Sequence, residues 1–240
     1  CIQNRDLHKR TSFYFCILEK RCYNIGMKRR RKNRNKKKKI SILLISILLV
    51  LLAFVGVKHF KTKYVEQADA EMRIERPNIE VDLLTVNPYS RPGFQSDKIN
   101  NIVIHYTANP GSSAKQNRDY FESLKDTKAR KASSHFIVGI DGEILQCVPT
   151  WEIAYASNDR NHDTVSIETC HRGEDGTYTE ETYESLVHLT AWLCEKFDLT
   201  EEDLIRHYDV TGKICPKYFV EDEDAWKAFK QDVKKVLEKE

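Results

Sequence analysis

The sequence predicts an α/β fold: a mixed central β-sheet flanked by helices and preceded by one transmembrane helix. Three observations carry that prediction. Residues 101–106 (NIVIHY) and 164–169 (TVSIET) are short runs of strand length, rich in β-branched side chains. Residues 180–197 and the stretch after Asp222 carry apolar side chains every three or four positions, the period of an amphipathic helix. Ile40 to Val57, ISILLISILLVLLAFVGV, has no charge and no proline over 18 residues, and a helix of that length spans about 27 Å, close to the hydrocarbon thickness of a bilayer.

Taken in chain order, residues 1–26 begin with Cys and hold three of the seven cysteines, while Met27 directly precedes a basic block. The expectation is that residues 1–26 are an extension upstream of a start at Met27. Residues 28–39, KRRRKNRNKKKK, hold ten basic residues in twelve. Positive charge on that side keeps residues 27–39 in the cytoplasm and sends everything after Lys58 outside. Residues 40–57 read as an uncleaved anchor rather than a signal peptide, because the apolar run is long and no small-x-small cleavage site follows in VGVKHFKTKY. A basic run also suits nucleic acid, yet the adjoining apolar span accounts for it, so no nucleic-acid partner is expected.

The net charge of +3 hides a division. Residues 1–57 hold 15 Lys or Arg against 2 Asp or Glu, which leaves 24 against 34 in residues 58–240, a net charge of −10. The exported part is acidic, so any contact it makes with an anionic polymer must be local. Residues 58–78 are polar and read as a juxtamembrane spacer, leaving 79–240 for the domain.

Within that domain, residues 78–97 read as extended, since Pro88 and Pro92 disfavour helix and Gly93 offers a turn. A strand over 101–106 and a helix over 113–125 follow. Strands 135–140 and 143–148 make a hairpin closed by a two-residue Asp141-Gly142 turn. Strand 164–169 alternates Thr164, Ser166 and Glu168 with Val165 and Ile167, so one of its faces is polar. Helix 180–197 carries Tyr183, Leu186, Val187, Thr190, Leu193, Cys194 and Phe197 as a stripe for one sheet face. Thr200 to Asp203 is a capping-box variant that starts a short helix before His207. Asp222 and Asp224 open a last helix with Trp226, Phe229, Val233, Val236 and Leu237 inward. No internal repeat is present.

The chemistry concentrates in RHYDVTGKICP near the C-terminal end, which holds His207, Lys213 and Cys215. Two imidazoles and a thiolate leave a tetrahedral zinc one free position for water, so with His105 these residues make a hydrolase ligand set. The turn signal Thr211-Gly212 lets His207 and Cys215 reach one point from two ends of a loop. Strand-like alternation would put Lys213 on the side of the thiolate. Taken alone, His207 and Cys215 read equally well as a buried histidine and a small buried hydrophobe. His105 stands near the end of a core strand, where sites are built.

The remaining histidines read as weaker candidates. His135 is a hydrogen-bonded wall residue, His162 and His171 sit in loops that flank strand 164–169 and face the substrate groove, and His188 is a surface position on a helix. Cys147, Cys170 and Cys194 read as core packing, and with Cys215 taken as a metal ligand no full disulfide framework follows.

IVIHYTANPG, SSHFIVGIDGEILQCVP, TVSIETC and RHYDVTGKICP occur in an order that resembles the type 2 family of zinc-dependent N-acetylmuramoyl-L-alanine amidases, related in fold to peptidoglycan recognition proteins. The resemblance covers roughly residues 79–240. It implies that His105, His207 and Cys215 bind Zn2+, that Lys213 stabilises the oxyanion, and that Glu168 is the general base. The substrate it implies is peptidoglycan, cut between N-acetylmuramic acid and L-alanine. Some relatives carry a tyrosine where this chain has Ser134, which leaves the base assignment on Glu168. Two other readings stand beside this one: a non-catalytic peptidoglycan-binding module, and a zinc peptidase acting on stem peptides. Stem-peptide preference and oligomeric state are not legible.

Overall fold

The structure is a computed structural model that describes residues 72–239. The basic block, the apolar run 40–57 and the doubtful extension 1–26 lie outside the described residues. Among the described residues no helix is long and apolar enough to cross a membrane.

Six strands form one sheet: β1 (Ile79–Val81), β2 (Asn101–Tyr106), β3 (Phe136–Val138), β4 (Ile144–Gln146), β5 (Thr164–Thr169) and β6 (Leu204–Arg206). Their spatial order is β1-β4-β3-β5-β2-β6. Only β3 and β4 run antiparallel; the other neighbours are parallel. The helices are α1 (Ala114–Thr127), α2 (Glu180–Phe197), α3 (His207–Thr211), α4 (Lys217–Glu221) and α5 (Glu223–Leu237).

Strand alternation divides the core into two layers. Ile102, Ile104, Phe136, Val138, Val165 and Ile167 join the side chains of α2 and α5 on one face, while Ile137, Leu145 and Cys147 join Phe121 and Leu124 of α1 on the other. The stripe on α2 is buried at Leu186, Val187, Thr190, Leu193 and Cys194, with Tyr183 and Phe197 partly buried at its margin. On α5, Trp226, Phe229 and Val233 are buried and Val236 and Leu237 pack at the margin. Phe219 of α4 closes this layer, its ring stacked 5.1 Å from Phe229 and tilted against Trp226 at 5.4 Å. Each fully buried side chain of this size contributes about 1.5–3 kcal/mol.

Four local expectations are corrected. The hairpin strands are shorter than 135–140 and 143–148, and the connection is not a two-residue turn. Gly142 N–H donates to Gly139 O (3.2 Å) and Gly139 N–H to Glu143 O (2.7 Å), while Gly142 alone takes positive φ (+82°). Asp141 does not, and three residues, 140–142, lie between the paired Gly139 and Glu143, so the chain makes a three-residue turn with a glycine bulge. Thr200 caps a single 3-10 turn, Glu201–Asp203, after which the chain becomes strand β6 rather than a helix. Residues 212–215 are not extended strand, so Lys213 owes its position to a loop and not to alternation. The spacer also ends earlier than residue 78: Arg73 and Ile74 donate backbone N–H bonds to Glu195, and Met72 and Ile74 pack on the core.

Candidate metal centre and active site

Three neighbouring parallel strands, β5, β2 and β6, end at the same edge, and each delivers one polar group there. His105 of β2 pairs in register with Glu168 of β5, so both side chains leave the same face. His207 is the first residue after β6, whose Arg206 pairs with Ile104. This is the carboxyl end of parallel strands, where open α/β sheets build their sites. β5 lies inside the sheet, so Glu168 is not on an edge strand.

Arg206 holds the bend that aims His207. Its guanidinium donates to Phe219 O (2.9 Å), Glu223 (2.7 Å) and Asp209 (2.9 Å), while Asp209 also accepts its backbone N–H (2.7 Å). One buried cation thereby ties β6 to α3, α4 and α5. Gly212 ends α3 in the left-handed region (φ +76°), and the chain doubles back so that Cys215 O accepts the Tyr208 N–H at 2.9 Å. That return brings the Cys215 thiol to the two imidazoles. The peptide bond from Cys215 to Pro216 is cis.

The donor atoms of His105, His207 and Cys215 all lie within 4.8 Å of one another, and all three residues are buried. Cys215 Sγ is 3.9 Å from His105 Nδ1, and the two imidazole centroids are 4.6 Å apart. A tetrahedral ion with nitrogen at about 2.0–2.1 Å and sulfur at about 2.3 Å separates its donors by about 3.3–3.6 Å. The three donors therefore fit a metal ion with a small inward adjustment.

The electrostatics favour the neutral, lone-pair form of both imidazoles. Burial, the neighbouring His207 and then Lys213 hold His105 well below the usual imidazole range; burial and then Lys213 lower His207. Burial pushes the Cys215 thiol up to about 12 and Glu168 opposes its ionisation further, while the Tyr106 N–H and Lys213 favour the thiolate. Binding a cation would reverse that balance and release the proton.

A cavity of about 480 Å³ opens over these groups and is lined by His105, Glu168, His207, Lys213 and Cys215. Glu168 stands partly uncovered at its wall, but its Oε2 is buried with no hydrogen-bond partner among the described residues. Burial pushes this carboxyl up to about 8, with Lys213 the one opposing influence. Lys213 is exposed at the rim and forms no ion pair among the described residues. All five sequence-predicted site residues thus meet in one cavity.

Other candidates resolve differently. His135 is a buried wall residue: Nδ1 accepts the Ser166 N–H (3.0 Å), so Nε2–H donates to Glu152 O (2.9 Å). Ser134 turns into the sheet, its hydroxyl donating to Phe136 O (2.5 Å) with Ser166 O at 3.1 Å. The polar face of β5 is therefore internal at Thr164 and Ser166 and opens to the cavity only at Glu168. Neither His162 nor His171 lines the cavity, contrary to expectation: His162 is exposed, and His171 is buried, stacked on Tyr106 with Nδ1 donating to Gly173 O (2.7 Å). His188 meets Glu75 O (2.9 Å) on the flank of α2. Cys147, Cys170, Cys194 and Cys215 are free thiols. Sequence reasoning missed the far wall of the cavity, where Arg130, Lys131 and Tyr155 lie, and the loop Ser157–Asn161 behind the histidines. The only signal for that loop was its density of Ser, Asn and Asp, which marks turn chemistry.

Residues 95–218 match the family model described as N-acetylmuramoyl-L-alanine amidase. Among curated proteins, the N-acetylmuramoyl-L-alanine amidase CwlL of Bacillus licheniformis is 36% identical over 169 residues, covering 65% of this chain and 46% of that protein. BlyA, an N-acetylmuramoyl-L-alanine amidase of Bacillus subtilis (strain 168), is 32% identical over 172 residues, 63% of this chain and 45% of its own length. The chain thus spans about half the length of the curated relatives it matches. Among solved structures, the catalytic domain of XlyA superposes with a TM-score of 0.56 at 26% identity, over 65% of this chain and 99% of that one. PlyL shares the fold, with a TM-score of 0.56 at 24% identity over 65% of this chain and 97% of that one.

Proposed function

The chain belongs to the N-acetylmuramoyl-L-alanine amidase family, and on that premise we propose that it is a zinc-dependent hydrolase of peptidoglycan, cutting the amide between N-acetylmuramic acid and L-alanine. The observation that carries the proposal is the convergence of two histidines and one cysteine, all within 4.8 Å, in the cavity that also holds Glu168 and Lys213. Zinc is the ion that suits two imidazoles and a thiolate in a four-coordinate site, and a bound zinc supplies Lewis acidity toward the scissile carbonyl and the attacking water.

The chain's own residues do the rest. Glu168 takes a proton from the attacking water and passes it to the departing L-alanine amine, so that the carbon–nitrogen bond breaks with a neutral leaving group. Burial raises this carboxyl and a cation beside it would lower it again, which brings its proton affinity toward that of a shuttle working near neutral pH. The Lys213 ammonium at the rim meets the negative charge that develops on the carbonyl oxygen. His105 and His207 keep their geometry because each is held at or beside a strand end, and Cys215 because its carbonyl accepts the Tyr208 N–H.

The substrate lies outside the cytoplasmic membrane, and the basic block followed by the apolar run 40–57 supports an anchored placement with the domain on that side. Digestion of purified peptidoglycan tests the proposal. New amino termini belonging to L-alanine support it; other new amines indicate a stem-peptide peptidase, and no new ends indicate a binding module.

A further inference from the structure

His105 and His207 each have a second ring nitrogen, and both of these face one loop. His105 Nε2 lies 3.3 Å from Ser157 Oγ, and His207 Nε2 lies 3.3 Å from Asn158 Oδ1. The other nitrogen of His105, Nδ1, is the one turned to Cys215 Sγ. An amide oxygen only accepts hydrogen bonds, so Asn158 requires the proton of His207 to sit on Nε2. A serine hydroxyl can accept or donate; because His105 Nδ1 is the nitrogen that faces Cys215 Sγ, a lone pair kept there leaves the proton on Nε2, with Ser157 Oγ as its acceptor. We propose that Ser157 and Asn158 are positioning residues of the metal centre, holding both imidazoles as Nε2–H tautomers so that each Nδ1 offers its lone pair to the ion.

The loop is built to hold that posture. Asn161 Oδ1 accepts the backbone N–H of Ser157 (2.6 Å) and of Ala156 (2.9 Å), and Asn161 N–H donates to Asn158 O (3.1 Å). Arg160 pairs with Asp163 (2.8 Å) and reaches Asn101 Oδ1 (2.6 Å), while the Thr164 hydroxyl donates to Arg160 O (2.7 Å). These bonds tie the loop to the first residues of β2 and β5, the two strands whose far ends carry His105 and Glu168. Ser157 is fully buried. Asn158 has φ +52°, a backbone state that non-glycine residues rarely adopt and that asparagine tolerates better than most. Backbone held in such a state needs a reason. Here it aims the side-chain oxygen at His207. Metal-ligating histidines depend on such outer partners for orientation and basicity, and loss of one weakens metal binding about 10–100-fold.

This inference rests on the zinc-site reading above, and the experiment separates the two. Zinc affinity of the full chain is measured by competition with a chromophoric chelator for the parent, Ser157→Ala, Asn158→Gly and Asn158→Asp, alongside the melting temperature of each metal-free protein. Glycine suits the positive φ, so Asn158→Gly removes the acceptor without straining the backbone. The expected result is zinc binding weakened about 10–100-fold in Ser157→Ala and Asn158→Gly, near-parental binding in Asn158→Asp, which keeps the acceptor, and a metal-free melting temperature for Asn158→Gly at or above the parent's. Parental affinity in both the Ala and Gly variants overturns the inference, as does an equal loss in Asn158→Asp. A fall in metal-free melting temperature that parallels the lost affinity makes the loop mere scaffold and also overturns it. A parent that binds no zinc overturns the functional reading, and the inference with it.

Discussion

Replacing Glu168 with glutamine should make the protein more stable and nearly inactive at once. The carboxyl is pushed from 4.5 up to about 8 because burial disfavours its charge. An acid with a raised folded-state value holds its proton more tightly when folded, so its contribution to stability falls as pH rises from about 4.5 to about 8 and is constant outside that window. At pH 7.5 the span above 4.5 corresponds to roughly 4 kcal/mol at 1.36 kcal/mol per unit. Because the residue stands partly open to cavity water, about half of that, ~2 kcal/mol, is the expected effect. Glutamine keeps the shape and never ionises. Urea unfolding of chelator-treated parent and Glu168→Gln should therefore coincide near pH 4.5 and separate by ~2 kcal/mol near pH 7.5, with the variant the more stable. In the zinc-loaded protein, zinc content should stay parental while turnover on purified peptidoglycan falls about 10²–10⁴-fold, the usual worth of a general base. Equal stability across the pH range would mean that the carboxylate is not held against its solvation. Parental turnover would remove Glu168 from the proton path.

Further outcomes follow from the same geometry. Cys215→Ser should lose zinc on gel filtration and lose activity with it, since the thiolate is one of the three donors that converge among the described residues; retained zinc would refute the ligand set. Lys213→Ala should keep zinc and lower kcat by about 10²-fold, as removal of one oxyanion partner does, and an unchanged kcat would exclude the role. His135 is lowered from 6.5 to about 4 by burial, so its contribution is complete above about pH 6.5 and disappears as pH falls toward 4; metal-free parent should lose ~3 kcal/mol relative to His135→Gln across that window, and a flat difference in unfolding midpoints would contradict it. Gly142→Ala places a Cβ 2.9 Å from Glu181 O at φ +82°, which should cost about 1–3 kcal/mol in thermal unfolding; a parental melting temperature would show that the hairpin bulge yields freely.

The legible part of this fold is the part with a long period. Helix α2 was read to its ends because eighteen residues repeat their apolar positions every third or fourth place, and Thr179 and Asp198 cap it. Strands β2 and β5 were read because six β-branched or alternating residues outweigh chance. Strand β6 was missed for the opposite reason. Leu204-Ile-Arg206 is three residues long and follows a helix-starting cap, so local chemistry pointed to a helix while pairing with β2 decided the outcome. The five residues of the site were legible as residue types, but their meeting was not, since His105 and Cys215 are 110 positions apart. Ser157 and Asn158 were invisible as site residues because their role is to touch other side chains rather than to carry chemistry.

The missed strand is what makes the site possible. His105 alone would project from β2 beside Glu168 with no second nitrogen in reach; β6 adds one strand on the free side of β2 and stops at Arg206, so the next residue emerges level with His105. Arg206 then fixes the direction of exit through three separate acceptors on α3, α4 and α5. The C-terminal helices therefore act on His207 through one buried guanidinium, while the Tyr208 N–H bond to Cys215 O places the thiol. Position along the parallel sheet sets the height of His105 and His207, and the Arg206 clamp sets the angle of His207. A short strand of low sequence signal is enough for this task because its neighbour, the six-residue β2, supplies the register.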